Sequence, residues 1–259
     1  MKHLLKLALV LFLSISMLSC SDDNNPSTQN PPTQGQLVQQ ITRILEGGST
    51  TVTTVNYSDQ NKYDDIYRDG NLSAQYTYTN DLMTTIDLYA SNGNLAVSRE
   101  LVYNENNELI RFIVDEGAIN RYEVSYDETG DIVTLENYYT NAGLGIDDEY
   151  QMDIVLEFSN DNLIRRAGSV EPFSVMYDYD NKNAVRKNIF GRDVLKIVFF
   201  EQPAHGENNI TQRNFYSNNF GTFLYSESFE ITYDDNDYPL EVKEFDQSGT
   251  LDRTYLYEY

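Results

Sequence analysis

The feature that most constrains this chain is a short phrase that keeps returning: a strand ending on an aromatic residue, an Asp or Asn turn, then an aliphatic restart. It stands as Val55-Asn56-Tyr57-Ser58-Asp59, as Tyr76-Thr77-Tyr78-Thr79-Asn80-Asp81-Leu82, and as Leu101-Val102-Tyr103-Asn104 leading to Leu109. It returns at Val124-Ser125-Tyr126-Asp127, at Leu156-Glu157-Phe158-Ser159-Asn160-Asp161, at Tyr177-Asp178-Tyr179-Asp180, at Ile231-Thr232-Tyr233-Asp234 and at Tyr255-Leu256-Tyr257. A unit of roughly 20–25 residues cannot bury its apolar side alone and must stack on copies of itself, which makes this a repeat architecture.

Within each unit the pattern has period two. Tyr122, Val124 and Tyr126 share one face of a strand, as do Ile154, Leu156 and Phe158, and Phe229, Ile231 and Tyr233. The alternate positions are mostly polar, which implies an antiparallel sheet with one buried and one wetted face. Return strands alternate less cleanly, as in Leu240, Val242, Glu244. Asp69-Gly70, Asn92-Gly93, Gly130 and Gly249 supply hairpin turns, where Asp, Asn and Gly tolerate positive φ. The expectation is an all-β fold: a large curved antiparallel meander of tandem hairpins with about 14–18 strands. A round barrel of that many strands leaves an interior too wide for side chains to fill, so the expected shape is open or half-barrel, porin-like in outline but soluble. The apolar run Leu195-Lys196-Ile197-Val198-Phe199-Phe200 reads as one more strand, and 141–149 and 201–209 read as longer loops.

Residues 1–19 read as a lipoprotein signal peptide, because Lys2 and Lys6 precede an apolar run from Leu7 to Leu18 that is too short to span a bilayer. Met17-Leu18-Ser19-Cys20 resembles a bacterial lipobox, and Ser21-Asp22-Asp23-Asn24-Asn25 resembles the surface-export signal of Bacteroidota lipoproteins. That resemblance implies acylation of Cys20, the sole cysteine, with outer-membrane lipid as a partner and display at the cell surface. Residues 20–36 form a polar tether, and residues 37–259 a single β-repeat domain without disulfides. The Tyr-Asp phrases, Tyr177-Asp178-Tyr179-Asp180 and Tyr126-Asp127 among them, resemble YD (RHS-type) repeats. Together these features resemble Bacteroidota surface lipoproteins of unknown function, a likeness that implies a strongly curved sheet and no catalytic residues.

A net charge of −23 opposes binding to phosphate backbones, so no nucleic-acid partner is expected. His205, the only histidine outside the leader, reads as a solvated loop residue. No catalytic constellation and no cofactor motif is found. The acidic groups 178–181 and 234–237 offer hard oxygens, but turn chemistry already explains them. The chain has 21 Tyr, 12 Phe and no Trp, so any stacking platform for a glycan must be Tyr or Phe. Tyr138, Tyr139, Tyr216 and Tyr255 are the candidate ligand-binding residues. The functional expectation is a non-enzymatic binding or scaffolding module for a glycan or a protein. The alternatives are a carboxylate-dependent glycoside hydrolase in a concave sheet and a structural protein that assembles through bare sheet edges.

Overall fold

The computed structural model describes residues 35–259 apart from 202, 219 and 220, so Cys20 and its leader lie outside the described residues. Sixteen strands follow one another around a barrel. They are β1 Gln40–Leu45, β2 Thr50–Ser58, β3 Lys62–Arg68, β4 Asn71–Thr79, β5 Leu82–Tyr89, β6 Leu95–Tyr103, β7 Leu109–Asp115 and β8 Ile119–Tyr126. The second half comprises β9 Ile132–Asn141, β10 Ile146–Ser159, β11 Asn162–Gly168, β12 Phe173–Tyr179, β13 Ile210–Ser217, β14 Phe223–Tyr233, β15 Pro239–Phe245 and β16 Leu251–Glu258. Each pairs antiparallel with its sequence neighbours, and β1 also pairs with β16 from Gln40↔Glu258 to Leu45↔Arg253.

That seam corrects the expected open or half-wrapped shape: the sheet closes on itself. The width argument failed because it allowed only wall side chains to fill the interior. Between β12 and β13, the described residues of segment 180–209 fold back inside, carrying the helix α1 Arg192–Val198. Ile189, Phe190, Val194, Leu195, Ile197, Val198 and Phe200 of this insert are buried, packed in one core with wall residues such as Tyr63, Met83, Ile86, Phe112, Leu135 and Leu156. The run Leu195–Phe200 is therefore a helix and its exit, not a strand. A short run that is apolar all round fits a buried helix or a buried strand equally well. Inside the barrel the wall backbone is already paired, so an enclosed segment must satisfy its own N–H groups, which a helix does.

The recurring phrases all lie at one end of the barrel, here the plugged end, where the insert enters. Their turns explain the Asn-Asp spelling: Asn80 and Asp81 sit at φ 52° and 64°, and Asn160 and Asp161 at 48° and 61°, as a type I′ hairpin turn requires. The aromatic position has its own reason. Val102 pairs with Arg111 but Tyr103 with Leu109, leaving Ile110 as the extra residue of a β-bulge; Thr84, Ile164 and Leu240 are extra in the same way. The tyrosine of a neighbouring strand end then donates its hydroxyl to the carbonyl just ahead of the bulge. Tyr103 reaches Met83 O at 2.7 Å, Tyr179 reaches Leu163 O at 2.8 Å and Tyr259 reaches Pro239 O at 3.0 Å. Tyr126 makes the equivalent bond to Leu109 O at 3.0 Å. Burial of the Tyr179 ring beside Tyr177 holds its hydroxyl well above the usual phenol range, so it remains a donor. Tyr179→Phe is expected to cost about 1 kcal/mol in denaturant unfolding with an unchanged m-value; a variant as stable as the parent would show that the clamp contributes nothing.

Candidate functional site

The two halves of the lumen differ in chemistry. The plugged half is filled by the insert, whose basic side chains pair with acids of the insert itself and with Asp161 of the β10–β11 turn. Arg192 lies 2.7 Å from Glu207 and 3.2 Å from Asp161; Lys196 lies 2.8 Å from Asp193 and 3.3 Å from Asp161. Burial pushes the Asp161 carboxyl up, but Lys196 and Arg192 outweigh it and hold the group below the usual carboxylate range. Asn188 Nδ2 donates to Gln36 O and to the Tyr238 hydroxyl, tying the insert to the lead into β1.

His205 is buried in this plugged half, which corrects its reading as a solvated loop residue. Its ring is buried, stacked on Phe199 at 5.9 Å and edge-on to Tyr63, with Nε2 3.4 Å from Arg186. Burial, then the positive fields of Arg186, Arg192 and Lys196, drive its pKa well below the ordinary histidine value. The unfolded chain takes up this proton at about pH 6.5 and the folded barrel does not. Stability therefore falls as pH drops below that point, by about 1.4 kcal/mol per unit from this residue. His205→Phe keeps the ring stacking and is expected to flatten the slope of unfolding free energy between pH 6.5 and 5. An unchanged slope would mean that the imidazole is already charged in the native state.

The other half faces water from the inside. Register places Arg43, Tyr255, Arg253, Glu244, Phe229, Glu227, Arg213, Tyr177 and Arg166 on the same inner face of seven consecutive strands, β1, β16, β15, β14, β13, β12 and β11. The side chains of Arg213 and Glu227 remain 27% and 26% exposed and that of Arg253 35%, although all three point inward. Inward groups of a closed barrel keep that much exposure only when the lumen beside them holds solvent. Their ion pairs form a chain: Arg213 Nε lies 3.0 Å from Glu227, Arg213 also grips Glu244, and Arg253 Nε lies 3.4 Å from the same Glu244. Arg253 further donates to its neighbour Asp252. Arg166 Nη2 donates to both oxygens of Glu171 at 2.9 and 3.0 Å. Burial raises the Glu227 carboxyl above the usual range, against the pull of Arg213.

Aromatic rings line the same arc. Tyr225 stacks on Phe215 at 4.3 Å and 18°, Phe215 meets Phe173 edge-on at 5.6 Å, and the Arg213 guanidinium lies 4.9 Å over Phe229. The floor is the end of the insert. Arg99 on the opposite wall lies 4.3 Å over Phe199 and donates to Val198 O, while Arg166 lies 5.9 Å from Phe200. The arrangement can grip a ring-shaped polar solute: flat faces to stack on, and fixed charges to bond its substituents.

The four tyrosines singled out in the sequence do not converge. Tyr255 lies in the arc beside Arg43, and Tyr139 shares the inner face through its pairing with Asn120. Tyr138 is on the outer face, under Arg121 at 4.2 Å and edge-on to Tyr150, and Tyr216 packs edge-on to Phe223. The acidic turn groups spend their oxygens on backbone: Asp180 accepts from Lys182 N and Asn209 N, and Asp234 from Asn236 N and Tyr238 N. Among the described residues no group of three or more His, Cys, Asp or Glu is placed to hold a metal ion. The residues that sequence reasoning missed are the inward arginines and glutamates. The one visible signal was Glu244 on the apolar face of Val242.

No protein-family model matches the chain, and no curated protein matches it in sequence. Solved structures do match in fold. A porin-like protein from Bacteroides vulgatus aligns with a TM-score of 0.55 at 15% identity, covering 87% of this chain and 99% of the other. A porin-like protein from Bacteroides uniformis aligns at 0.53 and 14% identity, covering 88% and 98%. This removes the expected contrast between a soluble open sheet and a closed porin-like barrel. The chain shares the architecture of these porin-like proteins from end to end of its described domain.

Proposed function

We propose that the protein is an envelope barrel, attached to the outer membrane through acylated Cys20, that holds a saccharide in the far half of its lumen without transforming it. One observation carries the binding reading: an inward arc of stacked rings and fixed guanidinium and carboxylate groups stays wet in a barrel otherwise filled by its own insert. Aromatic faces supply sugar-stacking area at low conformational cost, and the Arg–Glu chain supplies donors and acceptors already held in place. The envelope reading is supported by the lipobox-like Met17–Cys20 segment, the acidic leader and the Bacteroides origin of the two porin-like neighbours. Surface display and the kinship with YD-repeat lipoproteins rest on the same leader and on the tyrosine-bearing turns.

A panel of neutral and acidic oligosaccharides, peptides and calcium, read by thermal shift and calorimetry, tests the binding reading. Tyr225→Ala should weaken saccharide binding by about tenfold, the scale of one lost stacking contact. Saccharides that leave melting and heat unchanged would end it. Cys20→Ala should move the protein out of the membrane fraction on cell fractionation; retention there would end the lipid-anchor reading.

A second reading, hydrolysis, is favoured by Glu227 and Glu244, two inward carboxylates of which Glu227 has a raised pKa. We prefer binding because Arg213 holds both and Arg253 holds Glu244 again, leaving neither free to act as acid or nucleophile. Release of reducing sugar by the parent, lost in Glu227→Gln, would reverse that preference. Assembly through bare strand edges loses its basis, because closure pairs both edges of every described strand.

A further inference from the structure

We infer that the saccharide is acidic, a uronic-acid-bearing oligosaccharide whose carboxylate is received by Arg43; this rests on the saccharide-binding reading of the lumen above. The charge state of the arc carries the argument. Arg166, Arg213 and Arg253 each have a carboxylate within 3.4 Å. Arg99, on the opposite wall, is held by the Val198 carbonyl and the Phe199 ring. The Nε atoms of Arg43, Arg99, Arg166 and Arg213 are all shielded from solvent without a hydrogen bond, but Arg43 alone among these guanidiniums also has no carboxylate or carbonyl partner among the described residues. A shielded guanidinium N–H without an acceptor is costly, and an incoming carboxylate removes that cost.

Position makes the group usable. Arg43 stands in the middle of β1, its cross-strand neighbours on the inner face being Tyr255 on β16 and Thr51 on β2. Tyr255 stands directly across from Arg43 on the inner face, and Arg253 lies one alternate position further along the same strand. A planar guanidinium suits the two oxygens of a carboxylate, which an ammonium matches less well. The surroundings also select. The protein as a whole carries −23, so an anion gains nothing from the net charge, and the arc sets Arg43, Arg166, Arg213 and Arg253 on one inner face. Preference for an acidic sugar must then come from this one unpaired group, with neighbouring Glu227 and Glu244 already neutralised and bonded.

The test compares tri-galacturonate with the neutral galactose trisaccharide, by calorimetry on the full chain at low and moderate salt. The acidic sugar is expected to bind about tenfold tighter, with the preference shrinking as salt rises. Arg43→Gln should reduce the preference to less than about twofold, and Arg43→Lys should restore part of it. If Arg43→Gln does not fold, Thr51→Asp supplies an internal partner for Arg43 and should abolish the preference by itself. Equal binding of both sugars by the parent, or an unchanged preference in Arg43→Gln, would overturn the inference and leave the lumen reading intact. Binding of neither sugar would overturn both.

Discussion

Leu195→Asp leaves no folded barrel. Leu195 is fully buried in the middle of α1, inside a closed wall whose own apolar face includes Met83, Ile86, Leu135 and Leu156. An aspartate there is an unpaired charge in an apolar interior, a cost of several kcal/mol before any lost packing is counted. Against a typical total stability of about 5–15 kcal/mol, that and the displaced insert are enough to unfold the chain. Leu195→Ala, which only opens a cavity, should cost about 2–5 kcal/mol and keep the fold. Circular dichroism melting of the two variants checks both outcomes. A wild-type midpoint for Leu195→Asp would mean that the insert does not lie inside the barrel.

Removal of β16 should be just as damaging, by another mechanism. The strand supplies six residue pairs to β1 and also pairs with β15, and it carries the inward Tyr257 ring. Ending the chain after Thr250 bares the edges of β1 and β15 together with the apolar lumen between them. Unpaired edges flanked by exposed apolar surface recruit other chains. The truncated protein is therefore expected in the aggregated fraction, with no cooperative melt. A monomeric truncation on size exclusion, with unaltered strand content, would refute the seam.

Much of the fold is legible in the sequence. The eight occurrences of the recurrent phrase lie at one rim, six at hairpin turns, one where the insert begins after Tyr179 and one, at Tyr257, at the seam. Positive φ at Asn80, Asp81, Asn160 and Asp161 explains their spelling, and the bulge-spanning hydroxyl bonds explain why Tyr closes so many strands. The insert was also announced, though less plainly: the gap from Tyr179 to Tyr233 is about twice the usual unit. Within it Lys182, Arg186, Lys187, Arg192 and Lys196 concentrate positive charge in an acidic chain. Reading Leu195–Phe200 as a strand hid that signal. The lumen arc was not legible, because Arg43, Arg213, Glu227, Glu244 and Arg253 come from strands far apart in the chain. Only the register of β1, β16, β15, β14 and β13 turns them to one face.

The seam also sets an order of events during folding. Each hairpin joins residues within one repeat, but Gln40 and Glu258 meet across 218 positions. Closing a loop ten times longer costs about 2 kcal/mol more in chain entropy, so the local ribbon zips first and the ring shuts late. The insert is tethered between two adjacent staves of that ribbon. It acts as the mandrel on which the cylinder is wound, and a chain that circularised without it would enclose a void.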